Sequence, residues 1–145
     1  MKRIETSVVI HMPIDEVFAY VIEPENMPEW APGFVEARST SDSPIRVGST
    51  SSRVTNFGGR DSNSEHEVIE FESNARMAVR SNMGPMEIKE IFEVRAEDGG
   101  THVTIAEEVT TPLLLRPAEW IFGAMASKNI HKYGPALKDR LEKSN

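Results

Sequence analysis

The chain has 145 residues, with 23 Asp and Glu against 16 Lys and Arg, a formal charge of -7 and no cysteine. A chain of this length buries about 68–70% of its unfolded surface, enough for a single domain with one core and no staples. The missing thiols exclude disulfide frameworks, thiolate metal sites and Cys nucleophiles, and the acidic balance argues against nucleic acid as a partner.

The start, Met1-Lys2-Arg3, is basic, but the apolar run behind it covers only 8–10, too short for a signal peptide. The longest uncharged apolar stretch, 120–126, falls far below the roughly 20 residues of a membrane span. Both features lead us to expect a cytoplasmic protein.

Ile4, Thr6, Val8 and Ile10 alternate on one face of a strand over 2–11. Pro13 suits a first helical turn, Asp15 and Glu16 suit its dipole, and Ile14, Val17, Phe18 and Val21 give one apolar face, so the pattern predicts a helix over 14–23. Pro24, Pro28 and Pro32 restrict 24–33 to a loop or a single helical turn that holds Trp30. A second strand follows over 34–39. From Gly48 onward, turn signals at Gly58-Gly59, Ser73-Asn74, Gly84-Pro85 and Asp98-Gly99-Gly100 separate strand-length runs at 49–57, 64–72, 76–83, 87–96 and 101–111. Short turns between consecutive strands predict an antiparallel meander and not βαβ units.

Alternation assigns faces. Ile88, Phe92 and Val94 point inward and carry Glu90 with them, while Val103, Ile105 and Val109 bring Glu107. Met77, Val79, Ser81 and Met83 share that side, with Arg76, Ala78 and Arg80 in the other phase, and a slip of register would exchange the two sets. A last helix over 117–143 presents a stripe of Trp120, Gly123, Ser127, Ile130, Gly134, Leu137 and Leu141, beside Ala126. Its first half is small, which leaves room beneath for a guest. Pro135 predicts a kink near Gly134.

The segments PIDEVFAYVIEPENMPEWAPG, VGSTSSRVTNFGGR, EVIEFESNARMAVRS, DGGTHVTI and the closing LKDRLE together resemble the START/Bet v 1-like superfamily (SRPBCC), in particular its polyketide cyclase/dehydrase branch. The resemblance covers nearly the whole chain. It implies an α+β helix-grip fold: a seven-stranded curved antiparallel sheet around a long C-terminal helix, two short helices between the first two strands, and an apolar cavity between sheet and helix. Members carry lipids, sterols or quinones, cyclise or dehydrate polyketides, or assist a chaperone. Gly134-Pro135 departs from the family's uninterrupted helix. No catalytic set transfers residue by residue.

The residues expected to line a cavity are Trp30, Phe34, Arg53, Met77, Val79, Met83, Ile88, Phe92, Ile105, Gly123, Ala126 and Ser127. Trp30 either closes the cavity and touches a ligand or plugs the core edge with its N–H on a carbonyl, roles that coincide in this fold. An inward Glu90 between Ile88 and Phe92 is a general acid or base, or else the partner of an inward arginine, Arg53 or Arg80. Glu107 and His66 carry the same acid–base hypothesis, and His66 near Glu90 would form a dyad. Of the four histidines, His66 and His131 are the two expected near the interior. No phosphate-loop, dinucleotide or H-E-x-x-H motif occurs, so neither cofactor nor metal is expected.

Three functions follow. The first is binding of a small hydrophobic molecule. The second is a cyclase or dehydratase using Glu90, His66 and Glu107, with Arg53 polarising a carbonyl. The third is an interaction module using the charged outer face of Glu65, Glu67, Lys89, Glu93 and Arg95, a face too charged for a large dry interface.

Overall fold

The computed structural model describes residues 2–143, and the side chains of Phe57, Met83 and residues 119–129 lie outside that description. Seven strands form one antiparallel sheet: β1 (Lys2–Ile10), β2 (Phe34–Ser39), β3 (Thr50–Phe57), β4 (Arg60–Glu72), β5 (Arg76–Met83), β6 (Met86–Glu97) and β7 (Gly100–Thr110). Their order, β1-β7-β6-β5-β4-β3-β2, puts the first two strands on opposite edges. The chain crosses between those edges through α1 (Ile14–Val21), a 3-10 turn (Pro24–Asn26) and α2 (Met27–Trp30). The sheet closes around α3 (Glu119–Lys143), giving the expected helix-grip architecture.

The core is the concave face. Ile4, Ile10, Val68, Met77, Val79, Phe92, Val94, Val103 and Ile105 meet Val17, Phe18 and Val21 of α1, Met27 and Trp30 of α2, and Ile130, Tyr133, Leu137 and Leu141 of α3. The inward phase is Met77, Val79 and Ser81, while Arg80 faces out and pairs with Glu67 at 2.8 Å. A bulge between Val68 and Glu70 resets the phase of β4. Phe71 therefore packs on Phe18 at 5.8 Å, and Glu70 turns out to Arg76 at 3.1 Å and Lys89 at 2.6 Å.

Convex-face burial was not expected from alternation. Ala78, Ile91 and Ala106 stand in one cross-strand row and are almost fully buried, with Ile69 beside them. The ion-paired side chains of Arg76, Lys89, Glu70 and Glu93 share this face, and long polar residues of this kind cover apolar surface with their stems.

The last helix starts later than expected. A 3-10 turn over Leu113–Ala118 contains Pro117, so α3 starts at Glu119. It then runs as one helix with Pro135 inside it. Gly134 serves contact: a Cβ there would lie 3.0 Å from Val8 Cγ1 and 3.1 Å from Thr6 Oγ1, so its absence lets α3 rest close on β1. Lys138 Nζ then donates to the Val9 carbonyl, and His11 N–H donates to Glu142 at 3.0 Å. His131, expected near the interior, is exposed, because Ile130 and Tyr133 take the inward angles on this turn of helix.

Candidate functional site

A polar cluster sits in the middle of the concave face. Arg53 from β3 reaches over β4 and β5 to Glu90 on β6, where Nη1 donates to Oε1 at 3.0 Å. Both residues are buried, at 3% and 7% exposure, so this is an ion pair largely removed from water. Of the two arginines weighed as partners, Arg53 holds the position and Arg80 does not. Such a pair contributes little net stability, because desolvation offsets the attraction, but losing one partner is costly.

Register brings in the second carboxylate. Glu90 on β6 stands directly opposite Glu107 on β7, and both point to the same side. Burial raises the Glu107 carboxyl, the nearby Glu90 charge raises it further, and Arg53 opposes them, leaving it at about 7. Glu107 therefore shares its proton with solvent near neutral pH. Tyr133 of α3 faces the same cluster, and burial, with Glu107 and Glu90 adding, holds its hydroxyl protonated.

His66 lies one strand from Arg53, bonded at 2.7 Å through Nε2 to the Ser64 hydroxyl. Burial, and then repulsion from Arg53, push its imidazole down to about 3, so it is neutral at pH 7. His66 is thus bonded to Ser64 and Glu90 to Arg53, in place of a direct His66–Glu90 dyad. Tyr133 and Ser64 escaped the sequence reading. The helical stripe had Gly134 in the slot that Tyr133 shares with it, and the Ser64 bond depends on two residues standing on the same side of β4.

Aromatic rings wall the cluster. Trp30 meets Phe92 edge-on at 6.4 Å and Tyr133 at 6.1 Å, Tyr133 meets Phe34 at 6.3 Å, and the Arg53 guanidinium lies 5.8 Å from the Phe34 ring centre. Trp30 is buried at 5% exposure, yet its Nε1 has no acceptor among the described residues, so the bond to a carbonyl is not made there. Met77, Val79, Phe92 and Ile105 are buried in the core, and Ile88 is half-buried. Met83, Gly123, Ala126 and Ser127 lie outside the described side chains, and with them the thinned half of the helix stripe.

Between Arg53, Val68, Met77, Val79 and the loop at 41–43 lies a cavity of about 20 Å³, room for about one water. An open cleft of about 370 Å³ is lined by His66, Ser81, Thr50 and Arg80 among others. Among the described residues no group of three or more acidic or histidine side chains is arranged to hold a metal ion. No helix of the described residues is long and apolar enough to cross a membrane.

Sheet, gripping helix and a charged cluster inside an apolar cradle define a Bet v 1-like domain of the helix-grip class. The chain belongs to the family described as polyketide cyclase / dehydrase and lipid transport, which it matches over residues 1–143. Among solved structures, TTHA0849 from Thermus thermophilus superposes with a TM-score of 0.79 at 15% identity, covering 99% of each chain. The di-domain ARO/CYC BexL from the BE-7585A biosynthetic pathway gives 0.77 at 20% identity over 98% of this chain and 47% of its own, so the present chain spans about half of that protein. Ara h 8.0201 gives 0.66 at 16% identity over 99% of both chains. These likenesses establish the fold. No curated protein matches the chain.

Proposed function

We propose that the protein binds a small hydrophobic molecule between its sheet and α3, with the Arg53–Glu90–Glu107 cluster holding the molecule's polar end. The observation that carries this reading is the cluster itself. A scaffold that only had to fold would gain as much from apolar side chains at these positions, whereas a binding cleft needs a few fixed polar groups among apolar ones. The family's association with lipid transport supports the same reading. The test is native mass spectrometry of freshly purified protein together with titration by Nile red, an uncharged apolar dye. A co-purifying small mass or saturable one-to-one dye binding is expected. Neither being seen would refute the reading.

A second reading, proton transfer of the cyclase or dehydratase kind, has one observation in its favour. Glu107 titrates near neutrality, where a general acid or base works best. In that reading Glu107 moves the proton, Glu90 fixes Arg53, and Arg53 polarises a carbonyl. Neutral His66, held by Ser64, is a further acceptor. Substituting Glu107 by Gln should abolish turnover and leave ligand affinity nearly intact, and persistent turnover would remove Glu107 from the role. The interaction-module reading gains nothing comparable. Glu67, Glu70, Lys89 and Glu93 on the outer face are already engaged in ion pairs.

A further inference from the structure

The segment between the sheet and the last helix leaves three consecutive leucines in solvent. Thr111 is buried just past the end of β7, and from Pro112 to Pro117 every residue is exposed. Leu113, Leu114 and Leu115 keep 76%, 92% and 38% of their surface in water, whereas Val35 and Val47, the other exposed large hydrophobics of the described residues, stand singly. Leu115 N–H donates to the Pro112 carbonyl at 2.9 Å and closes the turn. Pro112 and Pro117 fix φ at its two ends, so the turn is preformed and loses little freedom on docking.

Its shape decides what it can dock into. With three residues per turn, consecutive side chains of a 3-10 helix point about 120° apart. The leucines therefore look in three directions, and no single flat surface meets them all. Their exposed parts amount to about two whole leucine side chains, roughly 120–240 Å² of apolar surface. A stable protein interface buries about 800 Å² on each side, so a second copy or a folded partner is a poor occupant. A medium that surrounds the turn is a good one, and the acyl boundary of a lipid bilayer is such a medium.

Charge points the same way. The chain holds 23 acidic residues, yet none falls in 109–118, where the one charged side chain is Arg116. Beside an inserted turn a guanidinium reaches lipid phosphate while its stem stays in the apolar layer. The chain as a whole carries -7, so an anionic bilayer repels it, and a zwitterionic one offers phosphate without net charge.

We propose that Leu113, Leu114 and Leu115, with Arg116 at headgroup level, form a tip that inserts into zwitterionic phospholipid surfaces. Binding is weak and reversible, at or below the roughly 10⁴ M⁻¹ of a single myristoyl chain. The tip is exposed while the Arg53 cluster is buried, so docking is independent of what that cluster holds.

Because the chain has no cysteine, Leu114→Cys takes a single label, the environment-sensitive dye NBD. With phosphatidylcholine vesicles at millimolar lipid its emission should rise and shift to the blue, and the same label on Val47→Cys, also an exposed position, should not respond. In flotation of the unlabelled protein, Leu114→Glu should lower the partition constant at least about tenfold. Leu114 is so exposed that replacing it removes little packing. At low salt, vesicles containing phosphatidylglycerol should bind less protein than pure phosphatidylcholine. No flotation with phosphatidylcholine overturns the proposal, as does flotation that Leu114→Glu leaves unchanged. Self-association that Leu114→Glu abolishes, without flotation, gives the turn to a second copy and overturns it equally. Tighter binding to the anionic vesicles overturns the preference for zwitterionic lipid.

Discussion

Glu107 and His66 impose opposite pH dependences on stability, and removing either should expose the other. Burial raises Glu107 from 4.5 to about 7 and lowers His66 from 6.5 to about 3. For the raised carboxyl, the unfolded chain releases its proton first. Stability is therefore full below about pH 4.5 and is lost as pH rises through about 7. For the lowered imidazole, the unfolded chain takes up a proton first. Its contribution is full above about pH 6.5 and is lost as pH falls toward about 3. At about 1.4 kcal/mol per tenfold change in proton affinity, the spans correspond to roughly 3 kcal/mol for Glu107 and at most about 5 kcal/mol for His66. Between pH 4.5 and 6.5 the two slopes cancel, and the parent should show a flat contribution from this pair. Urea unfolding followed by circular dichroism at steps from pH 4.5 to 7.5 measures it. Relative to the parent at each pH, Glu107→Gln should gain stability progressively as pH rises, by about 3 kcal/mol across the range. His66→Gln should lose stability relative to the parent as pH rises from 4.5 to 6.5. Because each effect is a difference at one pH, exposed carboxylates cancel from it. A Glu107→Gln curve parallel to the parent's would refute the argument, since it would mean that Glu107 binds its proton no more tightly in the folded protein than in the unfolded chain.

Two further outcomes test the packing. Arg53→Met leaves Glu90 buried without its partner and should cost about 3–5 kcal/mol, while Arg53→Met with Glu90→Leu should recover most of that, read as Tm by calorimetry. Adding a methyl at Gly134 crowds two side chains, Val8 at 3.0 Å and Thr6 at 3.1 Å, and should cost about 1–3 kcal/mol, part of which Val8→Ala restores. Gly100→Ala should cost more, because its Cβ would lie 2.5 Å from the Ile10 carbonyl oxygen, a backbone atom of a paired strand that cannot rotate away. Equal losses at the two glycines would show that the β1–β7 junction yields as easily as side chains do.

The strands, their antiparallel succession and the inward phase of Glu90, Glu107, Met77 and Val79 were legible in the amino-acid order, because a period of two and a turn residue are properties of a few neighbouring positions. The same locality explains the inward arginine: a carboxylate on an apolar face calls for a cation, and Arg53 was one of two within reach. Which of the two it would be, the meeting of Glu90 with Glu107, the Ser64 bond to His66 and the arrival of Tyr133 beside them depend on how strands distant in sequence line up. A bulge at Val68 sets the phase of β4, the β6–β7 register sets the carboxyl pair, and Gly134 sets how closely α3 approaches β1. None of these is a local property. The sequence alone determined what each element is and which side it shows, while the charge balance of the site, and so the chemistry it welcomes, was decided only when the sheet closed on the helix, because Coulomb forces and desolvation depend on distances that only the folded chain defines.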